Sequence, residues 1–178
     1  MDQTYHVQTS SKKIWGIICI IIGTGLLLTA LVIFIRQKNT WNTVKRIDQS
    51  GIGYQIQLPS GWHSQNNNVS NASSGLNTEF YQNCAGNKSS SLKISFIFLS
   101  EPEAFVNSIV NNLKKIGYLE KSITANDGKN IKRYSLAGSK EITSYLTTRD
   151  GYFIIQGTNG CNNLEKLYDK ILGTFKLL

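Results

Sequence analysis

The stretch "YQIQLPSGWHSQ", residues 54–65, decides how the folded part of this chain is read. Tyr54, Ile56 and Leu58 alternate with glutamines, and with Ile52 ahead of them they make a strand with one buried face. Pro59 stops that strand, because proline has no N–H to give to a sheet ladder. Gly61 permits a tight turn. Trp62 is then expected to fold back as a lid over the sheet edge and join the core, since buried indoles dominate packing. His63 beside it reads as a loop residue.

Upstream lies a different kind of sequence. Residues 14–35, "IWGIICIIIGTGLLLTALVIFI", carry no charge and suffice for a helix across a hydrocarbon core of about 30 Å. Lys12 and Lys13 precede the run, Arg36 and Lys38 follow it, and Trp15 and Trp41 suit its two interfaces. The run is too long for the apolar region of a cleaved signal peptide, which spans about 7–15 residues. The residues before Cys19 do not match a lipidation site. The expectation is an uncleaved single-pass anchor, preceded by a short tail over 1–13 and followed by a polar linker over 36–50 and one globular domain over 51–178.

The formal charge of +8 divides unevenly. Residues 1–50 hold six Lys/Arg against two Asp/Glu, and residues 51–178 hold thirteen against nine. Half of the excess therefore flanks the apolar run, where basic residues anchor to lipid headgroups. A nucleic-acid binder would carry a basic stripe inside its domain, so no nucleic-acid partner is expected. The expected partners are the bilayer and a protein not identified by the sequence.

Cys84 and Cys161 are the two cysteines of the globular part. Both sit in polar Asn/Gly-rich surroundings, and with only His6 and His63 in the chain a metal site lacks ligands. A structural disulfide is the plain reading, and the long loop it closes is stabilised by about 4–5 kcal/mol through loss of unfolded-state entropy. Disulfides persist in oxidising compartments. The positive-inside count slightly favours a cytoplasmic domain, whereas the cysteines favour an exported one; the second argument carries, with the tail inside and the domain outside.

Within the domain, the Asn/Ser-rich residues 63–77 read as a mobile surface loop, with N-x-S triplets at Asn68, Asn71 and Asn87. "LKISFIF", 92–98, is a second strand. "SEPEAFVNSIVNNLKKIG", 100–117, predicts a helix with a Ser100/Glu103 capping box, an apolar face of Phe105, Ile109, Leu113 and Ile116, and a stop at Gly117. Asp127-Gly128 and Asp150-Gly151 mark hairpins because both residue types tolerate positive φ. Asn162 and Glu165 open a last helix whose Leu164, Leu167, Tyr168, Ile171 and Leu172 share a face. The fold class is α+β, a curved antiparallel sheet covered by helices.

"GYQIQLPSGW", "DGYFIIQG" and "LYDKILGTFKLL" together resemble the PsbP-like family, whose members open with a strand and a Pro-x-x-Trp turn and end with a helix leading into a Ser/Thr-Phe pair. The resemblance covers roughly residues 50–178. It implies an α/β/α-type sandwich behind the membrane anchor and a non-enzymatic role, and it transfers no metal-binding or partner-binding residue. No phosphate loop, HExxH, GxSxG or EF-hand motif occurs. Neither catalytic residues nor a cofactor are expected. The function expected is a membrane-anchored binding or assembly module; the alternative is a tethered sensor holding a small ligand.

Overall fold

The computed structural model describes residues 22–32, 40–66, 74–84, 88–161 and 164–178, and the chain divides into two units, Met1–Thr40 and Trp41–Leu178. In the first unit a helix, α1, covers residues 22–32. These eleven described residues span about 16 Å at 1.5 Å per residue. Among the described residues no helix is long and apolar enough to cross a membrane. This corrects the expected spanning helix; the rest of 14–35 lies outside the described residues.

Among the described residues the second unit holds ten strands: β1 Trp41–Ile47, β2 Gly53–Pro59, β3 His63–Asn66, β4 Ser74–Cys84, β5 Lys88–Phe98, β6 Leu119–Thr124, β7 Asn130–Ser135, β8 Glu141–Thr147, β9 Gly151–Thr158 and β10 Lys176–Leu177. Helix α2, Pro102–Lys115, connects β5 to β6, and α3, Leu164–Gly173, connects β9 to β10. All pairings are antiparallel. Seven strands form one sheet in the order β3-β4-β5-β9-β8-β7-β6, and β1-β2-β10 form a second.

The fold is therefore mostly antiparallel sheet, and the α/β/α-type sandwich is corrected. One face of the seven-stranded sheet is covered largely by another sheet. Tyr54, Ile56 and Leu58 of β2 pack there with Phe80, Leu92, Ile94, Phe96, Phe153 and Ile155, and with Tyr168, Ile171, Leu172 and Phe175 from α3 and the segment after it. Tyr54 stacks on Phe175 at 5.7 Å, and Phe153 lies edge-on to both rings. A strand donates an apolar face as a helix does, but it needs hydrogen-bonded neighbours. Residues 41–47, read as linker, supply one as β1, and Leu178 N–H donates to the Gly53 carbonyl at 3.0 Å beyond the other.

Residues 63–66 and 74–77 also depart from expectation: they belong to strands β3 and β4 rather than to a loop. Leu76, Thr78 and Phe80 are buried while Asn77, Glu79 and Tyr81 face away, so polar composition conceals a one-sided strand. Residues 67–73 lie outside the described residues, as do Asn68, Asn71 and Asn87 with their N-x-S triplets.

Helix α2 starts at Glu101 without a side-chain cap, so the Ser100/Glu103 box does not form. Its inward face is Val106 and Val110 with Leu113, whereas Phe105 and Ile116 are 46% and 65% exposed. The stop at Gly117 follows its chemistry. Gly117, at φ 94°, donates to Lys114 and Tyr118 N–H donates back to Leu113 at 3.0 Å, a Schellman ending. Gly128 adopts φ 80° in its hairpin as expected. Gly151 does not have positive φ; it is needed because a Cβ there would overlap the Ile97 carbonyl oxygen on β5. For α3, Tyr168, Ile171 and Leu172 are buried as the periodicity predicts, and Asn162 lies outside the described residues.

Candidate functional site

The opening motif is built as a turn at the end of β2. Trp62 N–H donates to the Pro59 carbonyl at 3.4 Å across Gly61, whose φ is 90°. Pro59 is the last residue of its strand, opposite Trp41. Trp62 is half-buried and packs against the larger core, with its Nε1 buried and without a partner. His63 follows on β3, where its ring lies 5.6 Å from Tyr81 on the face away from Phe80.

Cys84 ends β4, and Cys161 precedes α3. Their Cα atoms are 6.0 Å apart, so the pair stands at disulfide distance across 77 residues of sequence. The Cys161 side is independently held: Ser90 Oγ accepts the N–H groups of Gly160 at 3.2 Å and Cys161 at 3.0 Å. Gly160 lies so close to Ser89 that a Cβ would overlap its backbone. Asn159 N–H donates to the Lys140 carbonyl at 2.8 Å. This junction ties β4, β5, the turn before β8 and the start of α3 together.

Beneath α2 runs a row of tyrosines. Tyr134, Tyr145 and Tyr152 come from three adjacent strands, with neighbouring ring centroids 6.2 and 6.5 Å apart, and Phe105 lies 5.7 Å from Tyr152. Burial pushes all three hydroxyls up, Tyr134 to about 12 with help from the Glu120 carboxylate. Glu120 is itself held below the ordinary carboxylate range by Lys114 at 2.6 Å and Lys132 at 3.0 Å, which joins the end of α2 to β6 and β7. On the opposite face Arg133 is buried beneath α3, paired with Glu165 and lying 3.4 Å from Asp169, which also meets Lys121 at 2.7 Å. Tyr168 donates to the Ile155 carbonyl at 2.6 Å, and burial raises its hydroxyl pKa. Both networks join elements; Arg133 Nε and Nη1 and Asp169 Oδ1 meet their partners as ion pairs without hydrogen-bonding geometry.

Helix α2 covers only part of its face. Toward β3, that face continues as directly opposed pairs: Glu79 with Lys93, Asn77 with Ser95, Lys93 with Gln156, and Gln156 with Thr143. Ser95 Oγ and Asn77 Oδ1 are 3.2 Å apart. These side chains are exposed or half-buried on strands hydrogen-bonded on both sides. Their sequence signal is the polar half of the alternation in 77–83 and 91–95, visible only once β4 is recognised as a strand.

Among the described residues no group of three or more His, Cys, Asp and Glu side chains could hold a metal ion. A groove lined by Ser100–Ala104 and Thr147–Arg149 lies at the start of α2 and is open to solvent. Comparison with protein-family models, curated proteins and solved structures finds no match to this chain.

Proposed function

We propose that residues 41–178 form a non-catalytic docking module that binds a protein partner outside the cytoplasm while the chain is held at a membrane surface. The observation that carries this reading is the half of the seven-stranded sheet that no described element covers. It offers an array of amides, hydroxyls and one opposed Glu79/Lys93 pair on paired strands, with both signs of charge present. That mixture suits the polar surface of another protein and lacks the one-sided basic charge a polyanion requires. The open groove at the start of α2 favours surface docking over capture of a small ligand. The Cys84–Cys161 pair supports an oxidising compartment, and the charge-free run at 14–35 with its lysine and arginine flanks supports membrane association. The resemblance to the PsbP-like family rests on β2 with its turn, on β9 and on α3 with the Thr174-Phe175 pair, and it supports a role in assembly.

Photocrosslinking in the native host tests this. A crosslinker at Ser91 or Thr143 is expected to trap one discrete protein, whereas one at Lys115 or Lys129 traps none, and Lys93→Glu is expected to weaken the Ser91 product. Equal products from all four positions, or a Ser91 product unchanged by Lys93→Glu, would rule out the sheet face.

A further inference from the structure

Strand β6 ends the strand order of the seven-stranded sheet, so among the described residues it has one ladder, with β7, and one open side. Which of its backbone groups point outward follows from the hairpin beyond it. Ala125 N–H donates to the Lys129 carbonyl at 2.8 Å, continuing the register that sets Thr124 opposite Asn130. In an antiparallel ladder a residue sends its N–H and C=O to the same side, and the side alternates along the strand. Leu119, Lys121 and Ile123 therefore bond to β7, whereas Glu120, Ser122 and Thr124 present their N–H and C=O groups at the open edge. The Asn126 N–H, next in the outward series, confirms the phase: it donates at 2.8 Å to the carbonyl of Gly173, the last residue of α3. At the other end the Tyr118 N–H is taken by the Leu113 carbonyl at 3.0 Å. No described residue takes the outward groups between them. The open window is thus 120–124, closed at both ends and centred on Ser122.

The strand carries none of the usual guards. Sheet edges are kept from pairing with other strands by proline, a bulge or a free charged side chain. "LEKSIT", 119–124, has no proline or glycine, and its register with β7 runs unbroken over six pairs. Both of its charges are engaged within the molecule. Lys121 meets Asp169 of α3 at 2.7 Å, and Glu120 lies between Lys114 at 2.6 Å and Lys132 at 3.0 Å. Leu119, which opens the strand, is 67% exposed, as is most of Ile116 just before it. An unguarded edge of this kind is a template for another strand.

We propose that β6 pairs with β6 of a second copy of this chain, antiparallel, about a twofold axis that passes by Ser122 normal to the sheet. Such an axis sets Ser122 opposite itself and Glu120 opposite Thr124 of the second copy, so every outward group of the window is joined. It also brings Lys121 opposite Ile123 and the exposed Leu119 opposite Ala125. An axis at any other residue of the strand runs an outward group against Tyr118 or Asn126, whose N–H groups are taken. At Glu120 or Lys121 it would also oppose like charges, which destabilises a strand pair. A second copy is favoured over an unrelated strand because the window is symmetric about its own centre, as an isologous contact requires. The inference is independent of the docking face described above, which lies toward the other end of the strand order.

The contact is small, below the roughly 1,200 Å² of stable interfaces, so a weak dimer with Kd of roughly 10–100 μM is expected. Sedimentation equilibrium of the full-length chain in density-matched detergent micelles measures it. Ser122→Pro removes an outward N–H and leaves the ladder with β7 whole. It is expected to weaken the dimer about 10- to 100-fold, because the twofold removes the lost bond twice. Should Ser122→Pro fail to fold, Ser122→Lys puts a positive charge on each side of the axis and is expected to weaken the dimer as much. Cysteine pairing in a Cys19→Ser background reads the register. Ser122→Cys is expected to link to itself, since hydrogen-bonded opposite residues have Cα atoms about 5.5 Å apart, within disulfide reach. Glu120→Cys and Thr124→Cys are expected to link only when the two proteins are mixed. A monomer up to about 1 mM, or a dimer unchanged by both Ser122 variants, as association through 14–35 would give, overturns the proposal. So does Glu120→Cys linking to itself as readily as to Thr124→Cys, or a photocrosslinker at Ser122 that traps only a different protein in the native host.

Discussion

Removing the Cys84–Cys161 link is the perturbation whose size follows most directly from the fold. The two residues are 77 apart in sequence, and a closed loop of that length removes about 15 cal/mol/K of unfolded-chain entropy, worth roughly 4.5 kcal/mol at 25 °C. The folded side needs little from the bond, because Ser90 Oγ already holds the Gly160 and Cys161 N–H groups. The effect should therefore act through the unfolded ensemble, leaving the native junction intact. Cys84→Ser and Cys161→Ser are each expected to lose up to about 4–5 kcal/mol in urea denaturation, with Tm falling by roughly 9–18 °C. The double variant should lose no more than either single one, since one interaction is being removed twice. Ser90→Ala should cost a further 1 kcal/mol or so in the bonded and unbonded proteins alike. Amide exchange at Cys161 in the serine variants should stay slow on the scale of local opening. A double-variant loss near twice the single one, or two free thiols in protein from its native host, would refute this account.

Three further outcomes follow from the packing. Val110→Ala on the buried face of α2 should destabilise by about 2 kcal/mol, whereas Ile116→Ser, at an exposed position, should stay within about 0.5 kcal/mol in thermal denaturation. Trp62→Ala should cost about 2 kcal/mol, below the usual range for a fully buried indole, with Trp62→Phe milder because it removes an unmet donor; equal losses would discount the orphan Nε1. Stability should fall at alkaline pH, because Tyr54 and Tyr134 are raised in the folded state to about 12 from 10.0. Their contribution is complete below pH 10 and is lost between about 10 and 12, where the unfolded chain binds fewer protons than the native one. Tyrosinate absorbance against pH, compared with Tyr54→Phe, checks the sign.

Elements whose apolar residues repeat at a clean period were legible in the sequence. Tyr54, Ile56 and Leu58 announce β2; Leu92, Ile94 and Phe96 announce β5; Tyr168, Ile171 and Leu172 announce the buried face of α3. Gly117 and Gly128 mark a helix stop and a hairpin because their local backbone demands positive φ. Such features depend on the chain's own geometry and need no distant partner.

What tertiary structure decided are the elements whose partners lie far along the chain. β1 and β4 carry too many polar residues to signal themselves, and only their ladders with β2 and β5 satisfy their backbones. The inward face of α2 is turned by about one residue from Phe105 to Val106, because the tyrosine row beneath it sets which side of the helix is covered. Gly151 is required by the nearness of Ile97 on another strand, not by its own turn. The open edge of β6 has no local signature either. It exists because the ladder with β7 takes one side of the strand and leaves the other unpaired among the described residues, and periodicity within one strand carries no information about which neighbours it will have.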